Sequence, residues 1–143
     1  MKKVIKQCLA LCLCALTMAA CNSKTGGTDV DNVNKAQKWA DVEKQYPMLS
    51  DFPTYEYEME NVQYSNSHGL EQVTFFDYKC EKSCYDNYVK TIKSSNFAGN
   101  DYGTNANYSL EKDGNTLSIT MSYSGGSFSC QYSKDTDWSL FFI

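Results

Sequence analysis

The spacing of apolar residues changes several times along the chain, and each change predicts a different element. Over residues 34–46 the apolar positions, among them Trp39, Val42 and Tyr46, recur every three or four residues. This spacing predicts an amphipathic helix, which Pro47 would end. We expect its apolar stripe to dock on a sheet, with the binding of a partner as the alternative.

From residue 54 the apolar positions alternate with polar ones, a period of two that predicts half-buried strands. In the first strand the apolar residues alternate with glutamates: Tyr55, Tyr57 and Met59 against Glu56, Glu58 and Glu60. The phase slips at Asn61, which predicts a bulge. A polar turn over residues 66–69 then leads to a returning strand over residues 71–78.

A second helix and three further strands complete the pattern. The apolar face of this helix is spaced at three and four residues: Tyr85, Tyr88, Val89 and Ile92. A polar loop is expected over residues 98–105. Two turn pairs, Asp113 with Gly114 and Gly125 with Gly126, predict the hairpins that join the last three strands.

These elements predict an α+β fold in which an N-terminal helix precedes an antiparallel sheet, with the element order ββαβββ. The helices are expected on one face of the sheet. The other face is rich in Ser, Thr, Glu and Gln, so we expect it to be solvated. Apolar residues make up 42% of the chain and aromatic residues 14%, which suits one ordered domain, placed at residues 36–143.

The first 20 residues have the pattern of a secretion signal. Residues 1–7 contain three lysines, and residues 8–20 form an uncharged, mostly apolar run. This run is shorter than the ~20 residues of a membrane-spanning helix. The polar stretch after it, up to residue 35, contains two adjacent glycines and predicts a flexible tether over residues 21–35.

The end of the signal resembles the lipobox of bacterial lipoproteins, because Ala19 and Ala20 directly precede Cys21. The resemblance implies cleavage before Cys21, a diacylglycerol on its thiol and acylation of the new amine. Met18 stands where that family usually has Leu. The alternative is ordinary signal cleavage, for example after Ala19. The lipoprotein interpretation places the protein in the cell envelope, outside the cytoplasm, with the outer membrane as the expected site.

A second resemblance covers residues 53–143. Its positions are mostly core and turn residues: Tyr88, Val89, Ile92, Lys93, Asn96, Phe97, Tyr108, Asp113 and Gly114. The stretch is similar to small α+β domains of uncharacterised lipoproteins of Bacteroidota. This resemblance implies the fold class and an envelope location, and it carries no catalytic residues.

The charge of the chain excludes one class of partner. All 13 basic residues are lysines, and removal of residues 1–20 would leave ten of them against 17 acidic residues, a formal charge of −7. A negatively charged surface without arginine is a poor partner for nucleic acid. It is also repelled by anionic headgroups, so the expected contact with the membrane is the lipid at Cys21.

Three cysteines remain in the predicted domain, and outside the cytoplasm they are candidates for a disulfide. Cys80 and Cys84 are four residues apart at a helix start, so we expect these two to form a bridge. A bridge from Cys130 to one of the two helix cysteines is the alternative. The spacing matches neither a thioredoxin-like motif nor a zinc-site pattern, so we predict no redox or metal site.

The sequence predicts no catalytic residues and no cofactor. His68 is the only histidine and lies in the predicted turn. No nucleophile motif is present, and alternating glutamates are typical of a solvated strand. An enzyme using Glu56, Glu58 or Glu60 remains a minor alternative.

The composition favours a non-catalytic binding module anchored to the membrane. All 11 tyrosines lie beyond the signal sequence, and exposed Tyr and Trp are favoured contacts at interfaces. Tyr102, Tyr46 and Trp138 are the candidate binding residues, and a protein, a glycan or peptidoglycan is the expected partner. An inhibitor or guard protein with a disulfide-held loop is the alternative.

Overall fold

The computed structural model describes residues 35–137 and Ser139, so the predicted signal sequence, the lipidation candidate Cys21, nearly all of the predicted tether and Trp138 lie outside the described residues. The elements in chain order are α1 (Trp39–Gln45), a 3-10 helix (Pro47–Asp51), β1 (Glu60–Ser67), β2 (Leu70–Asp77), α2 (Lys82–Lys93), β3 (Ala98–Asp101), β4 (Asn105–Lys112), β5 (Asn115–Ser124) and β6 (Ser127–Thr136). The described residues therefore form a mixed fold, with two α-helices and a six-stranded sheet.

All neighbouring strands of the sheet are antiparallel, and their order is β1-β2-β6-β5-β4-β3. Three of the connections are two-residue turns in which both residues have positive φ: His68 with Gly69, Asp113 with Gly114, and Gly125 with Gly126. Such turns match the twist of paired strands. The predicted hairpins are thus confirmed, and so is the bulge at Asn61, where the register of β1 and β2 shifts and φ is 50°.

The N-terminal boundaries differ from the prediction. Helix α1 begins at Trp39 rather than at residue 34, and β1 begins at Glu60 rather than at residue 54. Before Glu60, an isolated bridge joins Met59 to Gln37. Tyr55 and Met59 are buried, as the alternation of apolar and polar residues predicts. They are buried by packing in the core, however, and residues 54–58 form no strand.

The predicted order ββαβββ is also wrong, because α2 is followed by four strands. The additional strand is β3, in a stretch expected to be a loop. All four of its residues are exposed, so it has no apolar alternation that could predict it. At Gly99 the strand lies so close to β4 that an added Cβ would be 1.9 Å from the Asn107 carbonyl oxygen.

Both helices contact the same face of the sheet at Tyr132 of β6, which is fully buried. The ring of Trp39 in α1 meets the Tyr132 ring edge-on, with centroids 5.5 Å apart. The Tyr88 hydroxyl of α2 donates to the Pro53 carbonyl oxygen at 2.6 Å. Its proton is used there, so the Tyr132 hydroxyl is the donor in the 2.8 Å bond to the Tyr88 oxygen.

A buried hydrogen bond lies inside the aromatic part of the core. The Tyr55 hydroxyl donates to Asp77 Oδ2 at 2.7 Å, and the Lys79 backbone N–H donates to Asp77 Oδ1 at 3.0 Å. The Tyr55 ring packs against Phe75 and Phe128 at 4.9 and 5.3 Å. The pKa of Tyr55 is raised above its ordinary value, mainly by burial and next by the hydrogen bond to Asp77. The phenol therefore stays protonated and remains a hydrogen-bond donor.

We predict that Tyr55→Phe lowers the free energy of unfolding by about 2 kcal/mol, because the Asp77 carboxyl would stay buried and lose its hydroxyl donor. Urea unfolding followed by circular dichroism measures the change. Tyr57→Phe is the control, since the Tyr57 hydroxyl takes part in an exposed bond to Asn87, and we expect it to cost less than about 0.5 kcal/mol. Equal stability of the two variants would contradict this role of the Tyr55 hydroxyl.

Candidate functional site

The face of the sheet that points away from the helices carries a regular array of uncharged polar side chains. On β6, Gln131 and Ser133 flank the buried Tyr132, so they point to this second face, which we call the outer face. The strand registers place two rows of residues across all six strands. The first row is Gln63, Thr74, Gln131, Thr120, Asn107 and Asn100; the second row is Ser65, Gln72, Ser133, Ser118, Ser109 and Ala98.

The two rows are polar without being charged. Eleven of their twelve residues end in a hydroxyl or an amide, and none of the twelve is buried. The prediction of a solvated second face is therefore confirmed. Seven of the twelve side chains are exposed and five are half-buried, so their donors and acceptors are accessible to solvent.

An aromatic pair lies at one end of the outer face. Phe76 is opposite Glu60 on one side and Ser129 on the other, and its ring is stacked on that of Tyr78, with centroids 5.6 Å apart and planes 3° from parallel. Tyr78 is 52% exposed. The adjacent Phe75 and Phe76 predict that aromatic residues cover both faces of this strand, but the sequence did not single out Phe76 and Tyr78 as a candidate site.

Two of the three predicted binding residues are described, and they lie near opposite edges of the sheet, Tyr46 beside β1 and Tyr102 beside β4. Tyr102 is 72% exposed, and its N–H donates to the carbonyl oxygen of Asn105, the residue that begins β4. Tyr46 is half-buried and stacks on Tyr64 at 4.8 Å. Trp138 lies outside the described residues.

No disulfide joins the described cysteines in the structure, where Cys80, Cys84 and Cys130 are unbridged, and the expected bridge stays a prediction. The Cys80 thiol donates instead to the Glu81 carbonyl oxygen at 3.2 Å. The pKa of Cys80 is raised to about 12, mainly by burial and next by the hydrogen bond with the Cys84 thiol. Burial also raises the pKa of Cys130. Both buried thiols are therefore held in the unreactive protonated form.

We predict that an alkylating reagent modifies the half-buried Cys84 first in the native protein. Cys80 and Cys130 should react only after unfolding, because burial both blocks access and disfavours the thiolate. Peptide mapping by mass spectrometry after timed alkylation measures each site. Resistance of two cysteines to alkylation after unfolding without a reductant would instead show that they form a bridge.

The predicted glutamate strand and the histidine do not form a shared site. Glu56 and Glu58 are exposed, and Glu58 pairs with Lys79 at 3.8 Å. The Glu60 side chain lies on the outer face opposite Phe76. His68 Nδ1 is 2.9 Å from the Ser67 hydroxyl at the exposed β1–β2 turn. No group of three His, Cys, Asp or Glu residues within the described residues could hold a metal ion.

An aspartate that the sequence analysis missed joins the 3-10 helix to the sheet. Asp51 accepts hydrogen bonds from Lys134 at 2.8 Å and Lys112 at 2.9 Å. The bond to Lys134 lowers the pKa of Asp51 most, and Lys112 adds to this against the opposing effect of burial. A solvent-open groove of about 510 Å³ beside it is lined by Phe52, Pro53, Phe97 and Leu110, among others.

We predict that Asp51→Asn lowers the free energy of unfolding by about 1 kcal/mol at pH 7. The folded-state pKa of Asp51 lies below the unfolded-state value near 3.8, so its ion pairs stabilise the fold above that pH and lose their effect as the pH falls through the folded-state pKa. The difference from the wild type should therefore shrink towards pH 3, as measured by thermal unfolding.

The exposed Asp135 provides the matched control for this measurement. Asp135→Asn should change stability by less than about 0.5 kcal/mol at both pH values. A loss of stability in Asp51→Asn that is the same at pH 7 and pH 3 would contradict the ion-pair explanation.

The chain matches no protein-family model, no curated protein and no solved structure. Among the described residues, neither α-helix has the length and hydropathy to span a bilayer. The same residues combine an aromatic pair, of which Tyr78 is exposed, with a continuous polar array on one sheet face.

Proposed function

We propose that this protein is a lipid-anchored, non-catalytic binding module of the cell envelope, and that the outer face is its contact surface. The observation that carries the proposal is the array of solvent-accessible hydroxyl and amide groups, bordered by the aromatic pair Phe76 and Tyr78. Groups of this kind give recognition through many directional contacts, and an exposed aromatic ring adds apolar contact area.

The shape of the outer face supports binding rather than catalysis. An antiparallel sheet presents an open surface, whereas enzymes favour clefts that exclude water and concentrate charged groups around the reacting atoms. The rows across the sheet offer neutral donors and acceptors in place of an acid, a base or a nucleophile. Such a surface suits a ligand that lies along the protein.

The lipid anchor is the second part of the proposal. The lipobox resemblance implies a diacylglycerol on the thiol of Cys21 and a further acyl chain on its amine. Two or more acyl chains anchor a protein stably, whereas a single chain gives only marginal membrane binding. Residues 22–35 then act as the spacer between membrane and domain. The net acidic charge of the mature chain supports a location where the lipid, rather than headgroup attraction, holds the protein at the membrane.

The other two candidate functions have less support. The hypothesis of an inhibitor or guard protein depended on a disulfide-held loop, and the unbridged Cys80, Cys84 and Cys130 give it no support. The enzyme depended on neighbouring glutamates in a cleft. Glu56 and Glu58 are instead exposed to solvent, and Glu60 is half-buried opposite Phe76 on the open outer face.

We predict that Cys21→Ala abolishes acylation and moves the full-length protein out of the membrane fraction, or leaves its signal uncleaved. Metabolic labelling with a fatty acid and membrane fractionation measure both effects. Cys14→Ala, in the signal sequence, is the matched control and should retain the lipid. Continued membrane anchoring of the Cys21→Ala protein would overturn the assignment.

A further inference from the structure

We propose that the ligand of the outer face is a neutral polysaccharide, which lies across the strands along the two rows and stacks a sugar ring on the aromatic pair. This inference rests on the proposed function, because it names the chemical class that the binding surface recognises. It follows from the charge, the hydrogen-bonding groups, the aromatic pair and the dimensions of the outer face.

The charge of the outer face favours an uncharged ligand. The twelve residues of the two rows include no charged residue, whereas 21% of the whole chain is charged. The charged residues that border the rows are acidic: Glu60, Glu111 and Asp135. Because a polyanion needs cations to replace its counterions, this surface disfavours nucleic acids and acidic polymers.

The chemical groups of the rows match a polyhydroxyl ligand better than a protein surface. Each Gln or Asn amide both donates and accepts, as does each Ser or Thr hydroxyl, and sugar hydroxyls have the same dual capacity. Protein interfaces are instead anchored by buried aromatic and Arg residues at their centres. Ala98 is the one apolar side chain in the two rows.

The aromatic pair supplies the apolar contact that sugar rings accept. Pyranose rings have C–H-rich faces that pack on aromatic rings through dispersion and weak C–H contacts. One face of Tyr78 is covered by Phe76, and its 52% exposure leaves area for a ligand. Tyr78 therefore has a fixed orientation, which lowers the entropy cost of binding.

The extent of the outer face suits a chain of sugars rather than a single one. Strands in a sheet are about 4.8 Å apart, so six strands give each row a length of about 24 Å. Neighbouring polar groups thus recur at every strand along a row. Several consecutive sugar units can each meet a donor or an acceptor, and their individually weak contacts add up.

Binding is tested with the full-length protein in detergent, by retardation in native gels that contain a neutral glucan, mannan or xylan. An acidic polysaccharide is the comparison ligand. We expect at least one neutral polymer to retard the wild type, and the retardation should persist at 1 M salt because few ionic contacts are involved. Retardation by the acidic polymer alone would overturn the proposal.

Two pairs of variants locate the site. Tyr78→Leu should weaken binding about tenfold through the loss of stacking, while Tyr78→Phe, which keeps the ring, should bind more tightly than Tyr78→Leu.

Gln131→Glu places a charge at the centre of the first row and should also weaken binding about tenfold or more. Ser83→Glu adds the same charge at an exposed position of α2 and should leave binding unchanged.

Circular dichroism and urea unfolding establish that each variant is folded before its binding is compared. Equal binding by Gln131→Glu and Ser83→Glu would overturn the outer-face assignment. If no neutral polymer binds but Gln131→Glu abolishes self-association of the protein in sedimentation, the polysaccharide is wrong and the outer face remains a contact surface. If neither property changes, both the polysaccharide and the binding surface of the proposed function are overturned.

Discussion

The Asp77 carboxyl group lies inside an aromatic core, where a polar group is tolerated because it has hydrogen-bond partners. Its partners are the Tyr55 hydroxyl and the Lys79 N–H. The first of these requires Tyr55 to insert between the sheet and α2, which holds the segment between the 3-10 helix and β1 against the core. The same carboxyl ends β2 and orders the turn that leads into α2. Three parts of the fold therefore depend on one buried polar group.

The aromatic inner face also explains how the outer face can be an ordered surface. Helices α1 and α2 both contact Tyr132, in the middle of β6, and hold the central strands from one side. The outer-face residues alternate with these buried ones, so their spacing follows from the packing beneath them. A binding surface whose groups are placed in advance loses less entropy when a ligand arrives, which is consistent with recognition by many weak contacts.

Local patterns predicted the elements that local interactions control. The apolar face of α2 and the turn at Asp113 and Gly114 were predicted correctly because helix periodicity and positive φ are properties of short stretches. The strand around Gly99 was missed because all its residues are exposed and its order comes from pairing with β4. The site was predicted least well: Tyr102 was recognised as exposed, but the position of Tyr78 beside the polar rows depends on which strands are neighbours.

The sequence by itself determined the fold class and the alternation of the long strands, because both depend on the order of apolar and polar residues along the chain. The tertiary structure decided that β2 lies beside β6 and that Asp77 meets Tyr55. These contacts join residues that are far apart in the chain, and the free energy of forming them depends on how the whole core packs. The continuous outer face is one such outcome, since its rows cross all six strands.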